Sequence, residues 1–174
     1  MTFFARLRLQ PFKAECVLAL IESQDKFFDC FGVCAADGLR EFFVSDEVPQ
    51  SFIDQLRHAT GEDPWTWGFA VVDEHDNVVV GTAGFKGPPA DDGAVEVAYG
   101  IVPEFEGQGY ATEVAGQLVS FALRDPCVRT IRAHTLPVDN ASTRVLTKNG
   151  FVHVGQVTDP DDGEVWRWER PIKS

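Results

Sequence analysis

The chain changes its hydrophobic rhythm several times, and each change marks a predicted element. Residues 6 to 10, RLRLQ, alternate like a short strand; Phe12, Cys16 and Leu20, with Val17 and Ile21, then recur at helical spacing. From Asp25 to Glu47, phenylalanines are interleaved with six acids (Asp25, Asp29, Asp37, Glu41, Asp46, Glu47) against Lys26 and Arg40. That segment has no clean period and reads as irregular or partly helical. Pro49 followed by Phe52, Ile53 and Leu56 predicts a short helix with proline near its first turn.

From Trp65 the period shortens to two. WTWGFAVV, the turn former DEHDN and VVVGTAGF together make a hairpin signal. A second turn, GPPADDG, leads into AVEVAYGIV, where Val95, Val97, Tyr99 and Ile101 share one face and Glu96 and Ala98 the other. This is the pattern of a three-stranded antiparallel meander. Beyond PEFEGQG, residues Ala111, Val114, Ala115, Leu118, Val119 and Ala122 fall at helical intervals. RTIRAHT then predicts a strand, NASTRVLTKNG a short helix closed by Gly150, and FVHVGQV with EVWRWER a strand pair around PDDG. Meander, helix, strand, helix and hairpin make a mixed α/β (α+β) fold, expected as a single domain over residues 1–174.

Composition narrows the class. With 174 residues, 44% of them hydrophobic, the chain can bury its own core, and no stretch approaches the roughly 20 apolar residues a bilayer requires. The opening MTFFARLRLQPFKAE lacks the apolar centre of a signal peptide, so a cytoplasmic location is expected. Cys16, Cys30, Cys34 and Cys127 are then expected to be reduced, small buried residues; without a second cysteine pair or a suitably spaced histidine, zinc is disfavoured. Fifteen Lys and Arg against 27 Asp and Glu give a net charge of −12, which argues against nucleic acid and favours a cationic substrate. An anionic cofactor would have to be held locally, by backbone N–H groups or a helix N-terminus.

Two segments carry candidate chemistry. In PEFEGQGYAT, Gly107 and Gly109 stand where a strand turns into a helix, so successive N–H groups can face an anion such as a pyrophosphate; the same pattern fits a plain tight turn. A dinucleotide fingerprint would need Gly or Ala at Thr112, and a P-loop would need Gly-Lys-Ser/Thr after a four-residue gap. In DNASTRVLTKNGF, Asn140 is a natural N-cap, Ser142 and Thr143 lie in the first turn, and Arg144 and Lys148 fall one turn apart.

Taken in this order, VEVAYGIVPEFEGQGYATEV and NASTRVLTKNGF resemble the GCN5-related N-acetyltransferase (GNAT) superfamily, most nearly its ribosomal-protein N-acetyltransferase-like branch. The specific resemblance covers roughly residues 94 to 155, and the earlier elements agree in order only. It implies a central, mostly antiparallel, splayed sheet flanked by helices, and transfer of an acetyl group from acetyl-CoA to a primary amine in a ternary complex, without a metal. Carried over, the main chain at Ile101 and Val102 would bond the pantetheine arm. The amides of Gly107, Gln108, Gly109, Tyr110, Ala111 and Thr112 would hold the pyrophosphate, with Asn140 and Arg144 completing the cofactor set. The oxyanion would meet a strand N–H near Ala98 to Ile101. Acceptor helices would lie at about residues 12–60, and the acceptor would be a small-molecule amine or a protein N-terminus. Neither nucleic acid nor membrane is implied as a partner, and both monomer and homodimer stay open.

Glu96 stands where members of the family often place a catalytic glutamate, and partial burial would raise its pKa toward the working range. The rival reading is an outer-face glutamate paired with a cation on a neighbouring strand. His134 is the second candidate base, against a structural role. Two positions depart from the family pattern. The loop consensus opens with Gln or Arg where Glu106 stands, although Gly109 and Ala111 match. Many members also carry a tyrosine, as acid for the thiolate, where this chain has Leu146. That proton would fall to Ser142, to Thr143 or to water, or a thiolate of ordinary pKa would leave unassisted. These departures keep a second reading open, a catalytically silent acyl-CoA-binding module. The acidic 25–47 segment fits either an acceptor wall for a cation or a solvated face. Asp159, Asp161, Asp162 and Glu164 read as a turn rather than a calcium loop, and Trp65, Trp67, Trp166 and Trp168 as packing residues.

Overall fold

The computed structural model describes residues 5–46 and 48–172. They fall into two compact units, one running to Gly84 and including Tyr99–Tyr110, the other built from Phe85–Ala98 and from Ala111 onward. Glu47, counted among the acids above, lies outside the described residues.

The first unit opens with strand β1 (Leu7–Pro11), whose leucine-arginine alternation pairs antiparallel with β3 (Phe69–Asp73), Leu7 facing Asp73 and Pro11 facing Phe69. Strand β3 pairs antiparallel in turn with β4 (Val78–Phe85). The predicted hairpin strand begins at Phe69 instead of Trp65, because the Asp63 carboxylate accepts the Trp65 N–H and the Thr66 hydroxyl and folds that stretch into a turn. Between β1 and β3 lie helices α1 (Ala14–Glu22), α2 (Gln24–Phe31), α3 (Leu39–Val44) and α4 (Gln50–His58), and the two-residue strand β2 (Cys34–Ala35), which pairs parallel with β4.

The segment without a period is therefore α2, β2 and α3. At eight and six residues these helices are too short to show a repeat against their acidic faces. Phe27 and Leu39 are their fully buried anchors, whereas Asp25, Asp29, Asp37, Glu41 and Asp46 are all exposed. Phe12 gathers the apolar interior, with the rings of Phe27, Phe31 and Phe43 around it and Leu20, Leu56, Val72 and Val79 in the same core.

The cysteine expectation is corrected here. Cys16 and Cys30 form a disulfide with Cα atoms 5.5 Å apart, and Cys34 and Cys127 are exposed. Ser23 both ends α1 and caps α2, its hydroxyl accepting the Lys26 N–H, and the reversal lays the two helices side by side. Sequence spacing alone could not anticipate a pairing made by two helices.

The second unit contains the start of β5 (Ala94–Ile101), helix α5 (Tyr110–Ala122), β6 (Thr130–Thr135), α6 (Ala141–Lys148), β7 (Val152–Asp159) and β8 (Gly163–Pro171). Strands β6 and β8 pair antiparallel along their length, from Thr130↔Pro171 to Thr135↔Trp166, and β7 pairs antiparallel with β8 around the turn built on Asp159. The Asp159 carboxylate accepts the N–H groups of Asp161 and Asp162, so this acidic cluster is the turn that was expected. Trp168 donates its indole N–H to the buried Thr135 hydroxyl, and the His153 ring packs at a tilt against Trp166 and Trp168.

One junction in this unit is parallel. Strands β5 and β6 share the pairs Ala94↔Thr130, Val95↔Ile131 and Glu96↔Arg132, and the ladder stops there although both strands run on. In hydrogen-bonding order the first unit reads β1-β3-β4, with β2 against β4, and the second β5-β6-β8-β7, a mostly antiparallel α/β arrangement. Among the described residues no helix is long and apolar enough to cross a membrane.

Candidate functional site

The glycine turn belongs to the first unit. After β5 the chain makes a short 3-10 turn at Pro103–Phe105 and enters α5 at Tyr110. Gly107 and Gly109 have φ of +73° and +84°, in the left-handed region where a Cβ is strained, so the turn needs glycine at both places. At the first turn of α5 the amides have no carbonyl one turn behind them, and the helix dipole adds positive potential there. Chemically, this is a place for an anion. Glu106 is exposed beside it.

Contacts remote in sequence hold this turn. Arg6 donates from Nη1 to the Gln108 carbonyl at 2.7 Å, and its guanidinium carbon lies 4.1 Å from the centre of the Tyr110 ring. Phe105 meets the same ring edge-on. The Tyr110 hydroxyl donates to Asp73 Oδ2 at 2.5 Å, and Asp73 Oδ1 accepts the N–H groups of His75 and Asp76 at 3.0 and 2.7 Å. Burial works against the charge of Asp73, but these three donors outweigh it and hold the carboxyl below the ordinary aspartate value. Burial and the Asp73 carboxylate push the Tyr110 phenol up to about 12, so the phenol is the donor throughout the neutral range. Burial alone pushes Tyr99, on β5, up to about 12 as well.

Of the two positions expected to bond the pantetheine, Ile101 is buried at the end of β5. Val102 donates its N–H to Val80 and its carbonyl accepts the Phe105 N–H, which removes the Val102 amide from the available donors.

The carboxylate candidate lies in the second unit. Glu96 is half-buried at the last paired position of the parallel ladder, and its Oε1 accepts from His134 Nδ1 at 2.8 Å and from Lys86 Nζ at 2.9 Å. Arg167 donates from Nε to His134 Nε2 at 3.2 Å. A guanidinium has only donors, so Nε2 carries no proton and Nδ1–H is the atom that donates to Glu96. The expected rise in the Glu96 pKa is corrected. Burial pushes upward, but the hydrogen bonds from His134 and Lys86 and the positive charge of Lys86 together hold the carboxyl below the ordinary glutamate value. The rival reading, a cation on a neighbouring strand, supplied half of this answer through Lys86. His134 is the partner of Glu96, and its remaining ring nitrogen is occupied by Arg167.

Helix α6 keeps its expected cap. Asn140 Oδ1 accepts the Thr143 N–H, and Thr143 Oγ1 accepts the Asn140 N–H while donating to the Asn140 carbonyl. Buried Thr143 is therefore committed to the cap, whereas Ser142 and Arg144 are exposed and Leu146 is buried. Asn149 donates its side-chain amide to the Thr112 and Val145 carbonyls, tying the end of α6 to the first turn of α5. Four residues that fix these sites, Arg6, Asp73, Lys86 and Arg167, were not picked out from the sequence. Each lies in an ordinary alternating strand or at its end, and only three-dimensional pairing reveals it.

Comparison with known proteins bears on the family and the fold. The uncharacterized N-acetyltransferase YjdG of Bacillus subtilis (strain 168) is 29% identical over 112 residues, which span 64% of this chain and 64% of that protein, slightly under two thirds of its length. Among solved structures, RimL, a ribosomal alpha-N-protein acetyltransferase in complex with coenzyme A, superposes with a TM-score of 0.66 at 18% identity, over 98% of this chain and 97% of that one. The aminoglycoside acetyltransferase AAC(6')-Ib in complex with coenzyme A gives 0.60 at 16% identity, over 95% and 94%. At these identities the structures establish the fold. Residues 6–152 match the acetyltransferase (GNAT) domain model, most of the chain's length, and the chain belongs to that family.

Proposed function

We propose that this chain is an N-acetyltransferase that moves the acetyl group of acetyl-CoA to a primary amine by direct attack in a ternary complex, with residues 1–174 acting as one catalytic domain. The observation that carries the reading is the two-glycine turn opening α5, with both φ values positive, in a chain of the acetyltransferase family. In the proposed arrangement the amides of Gly107 to Thr112 receive the pyrophosphate, Ile101 the pantetheine, and exposed Arg144 adds a cation. No metal takes part.

The amine must reach the thioester carbonyl unprotonated, and its lone pair forms the C–N bond as the carbonyl electrons move to oxygen. The resulting ammonium is far more acidic than the free one, so Glu96, although a weak base, takes its proton after the bond forms. Collapse of the intermediate breaks the C–S bond, and Ser142 or water returns a proton to the departing thiolate. Because the enzyme's carboxylate is already ionised at neutral pH, the rate should climb with pH as the acceptor amine, near pKa 10, loses its proton. The two structural neighbours are named for a ribosomal protein and an aminoglycoside, and they support the acceptor only as a class, amines. A cytoplasmic location is part of this reading, and there the Cys16–Cys30 bond would be open to reduction.

Calorimetric titration with acetyl-CoA, followed by an amine panel scored for released thiol, tests the proposal. Micromolar binding that is lost in Gly109→Trp, together with turnover of at least one amine, is the expected result. Binding without turnover would favour the silent acyl-CoA-binding module that Glu106 and Leu146 suggest, and no binding would leave the fold without this function.

A further inference from the structure

Glycine turns are the least ordered stretches a chain can offer a ligand, and the ordering cost at binding falls on the affinity. This turn is gripped by the protein's own side chains. Arg6, 102 residues away in sequence, bonds the carbonyl of Gln108, the residue between the two glycines. No peptide bond among the described residues is cis, so the carbonyl of Gln108 and the N–H of Gly109 point in opposite directions within one plane. By fixing the carbonyl toward itself, Arg6 aims the Gly109 N–H away, toward the face a ligand would approach. A Cβ on Gly109 would lie 3.5 Å from Arg6 Nη2, so the guanidinium packs directly against that residue.

The grip has its own foundation. Arg6 stacks on the Tyr110 ring, and the ring is pinned by its hydroxyl to Asp73, which is itself buried and held by the two amides of the β3–β4 turn. The guanidinium also brings a positive charge onto a turn that carries Glu106 in a chain of net charge −12.

We propose that Arg6, seated on the Tyr110–Asp73 pair, is a positioning residue that holds the Gly107–Gly109 turn in its anion-receiving conformation; the inference rests on the acetyl-CoA reading above. The test compares wild type, Arg6→Ala, Arg6→Lys and Tyr110→Phe with two donors, acetyl-CoA and S-acetylpantetheine, which has the thioester arm but no pyrophosphate. Arg6→Ala should raise KM for acetyl-CoA about tenfold, the size of one lost charged hydrogen bond, with kcat held. The preference for acetyl-CoA over S-acetylpantetheine, as a ratio of kcat/KM, should fall by about the same factor. Arg6→Lys should recover little of it, because an ammonium lacks the planar face that stacks on Tyr110. Tyr110→Phe, which keeps the ring and loses the bond to Asp73, should fall between. An unchanged acetyl-CoA KM in Arg6→Ala, or an equal loss with both donors, overturns the proposal. A wild type that neither binds nor uses acetyl-CoA overturns the functional reading first, and this inference with it.

Discussion

The glycine turn and the Glu96 carboxylate are built in opposite ways. At the turn the atoms proposed to meet the donor are main-chain N–H groups, and the side chains of Arg6, Tyr110 and Asp73 brace a conformation that two positive φ values make reachable. At Glu96 the proposed working atom is a side-chain oxygen whose backbone is ordinary strand, and its state is set by Lys86 and His134. The first site should be sensitive to shape and nearly indifferent to pH, since Asp73 is held below its ordinary value and Tyr110 at about 12. The second should tolerate changes of shape and respond to charge. A substitution that preserves volume but removes charge separates the two.

Glu96→Gln is that substitution, and it should have the largest effect. The amide is isosteric with the carboxyl and still accepts from His134, but it cannot take a proton from the acetylated amine. Turnover at neutral pH should fall about a hundredfold or more, in the usual range for loss of a general base, while calorimetry gives an acetyl-CoA affinity within about twofold of wild type. A kcat within threefold of wild type would assign the proton to water and erase the contrast between the sites.

Lys86→Met sharpens the comparison with a smaller effect. Lys86 stabilises the ionised form of Glu96, so its loss leaves the upward push of burial less opposed and raises the Glu96 pKa. A base with a depressed pKa works above that pKa and is lost as pH falls through it. The acid limb of kcat/KM, below the ordinary glutamate value in the wild type, should therefore move to higher pH in the variant, with little change at pH 8. A limb that stays in place would show that His134 alone sets the carboxyl. The same sign governs stability: the contribution of this ionised carboxylate is present above the unfolded-state value and disappears as the solution is acidified through the folded one.

The contrast also explains what the sequence made legible. Gly107 and Gly109 announce themselves, because few residues other than glycine take a positive φ, and their spacing before an amphipathic helix survives any detail of packing. Glu96 is legible as an acid interrupting an apolar strand, and even its face follows from alternation. Its pKa is not legible, because it depends on Lys86, ten residues back across a turn, and on His134, thirty-eight residues on, across the parallel ladder. Arg6 reads only as one arginine of an alternating strand. Asp73 reads as a turn former, and the turn it forms is real; that its second oxygen holds Tyr110 is a fact of tertiary structure. The helices of the acidic segment were hidden for a simpler reason: two helices of six and eight residues do not repeat enough to declare a period.

The smallest effect concerns the segment where a motif and a local structural need coincide. Asn140 is both a family position expected to meet the cofactor and the N-cap of α6, and its Oδ1 is already spent on the Thr143 N–H. Asn140→Ala should cost ~1 kcal/mol of stability through the lost cap, a fall of roughly 2–4 °C in Tm for a chain of this length. Serine caps as well as asparagine but is shorter and has no side-chain amide. If Asn140→Ser restores both the Tm and the acetyl-CoA affinity, the residue acts by holding the first turn of α6, as the reciprocal bonds with Thr143 lead one to expect. If it restores only the Tm, the asparagine Nδ2 is itself a ligand of the donor, and the division between a site made of main chain and a site made of side chains is less clean than the hydrogen bonds imply.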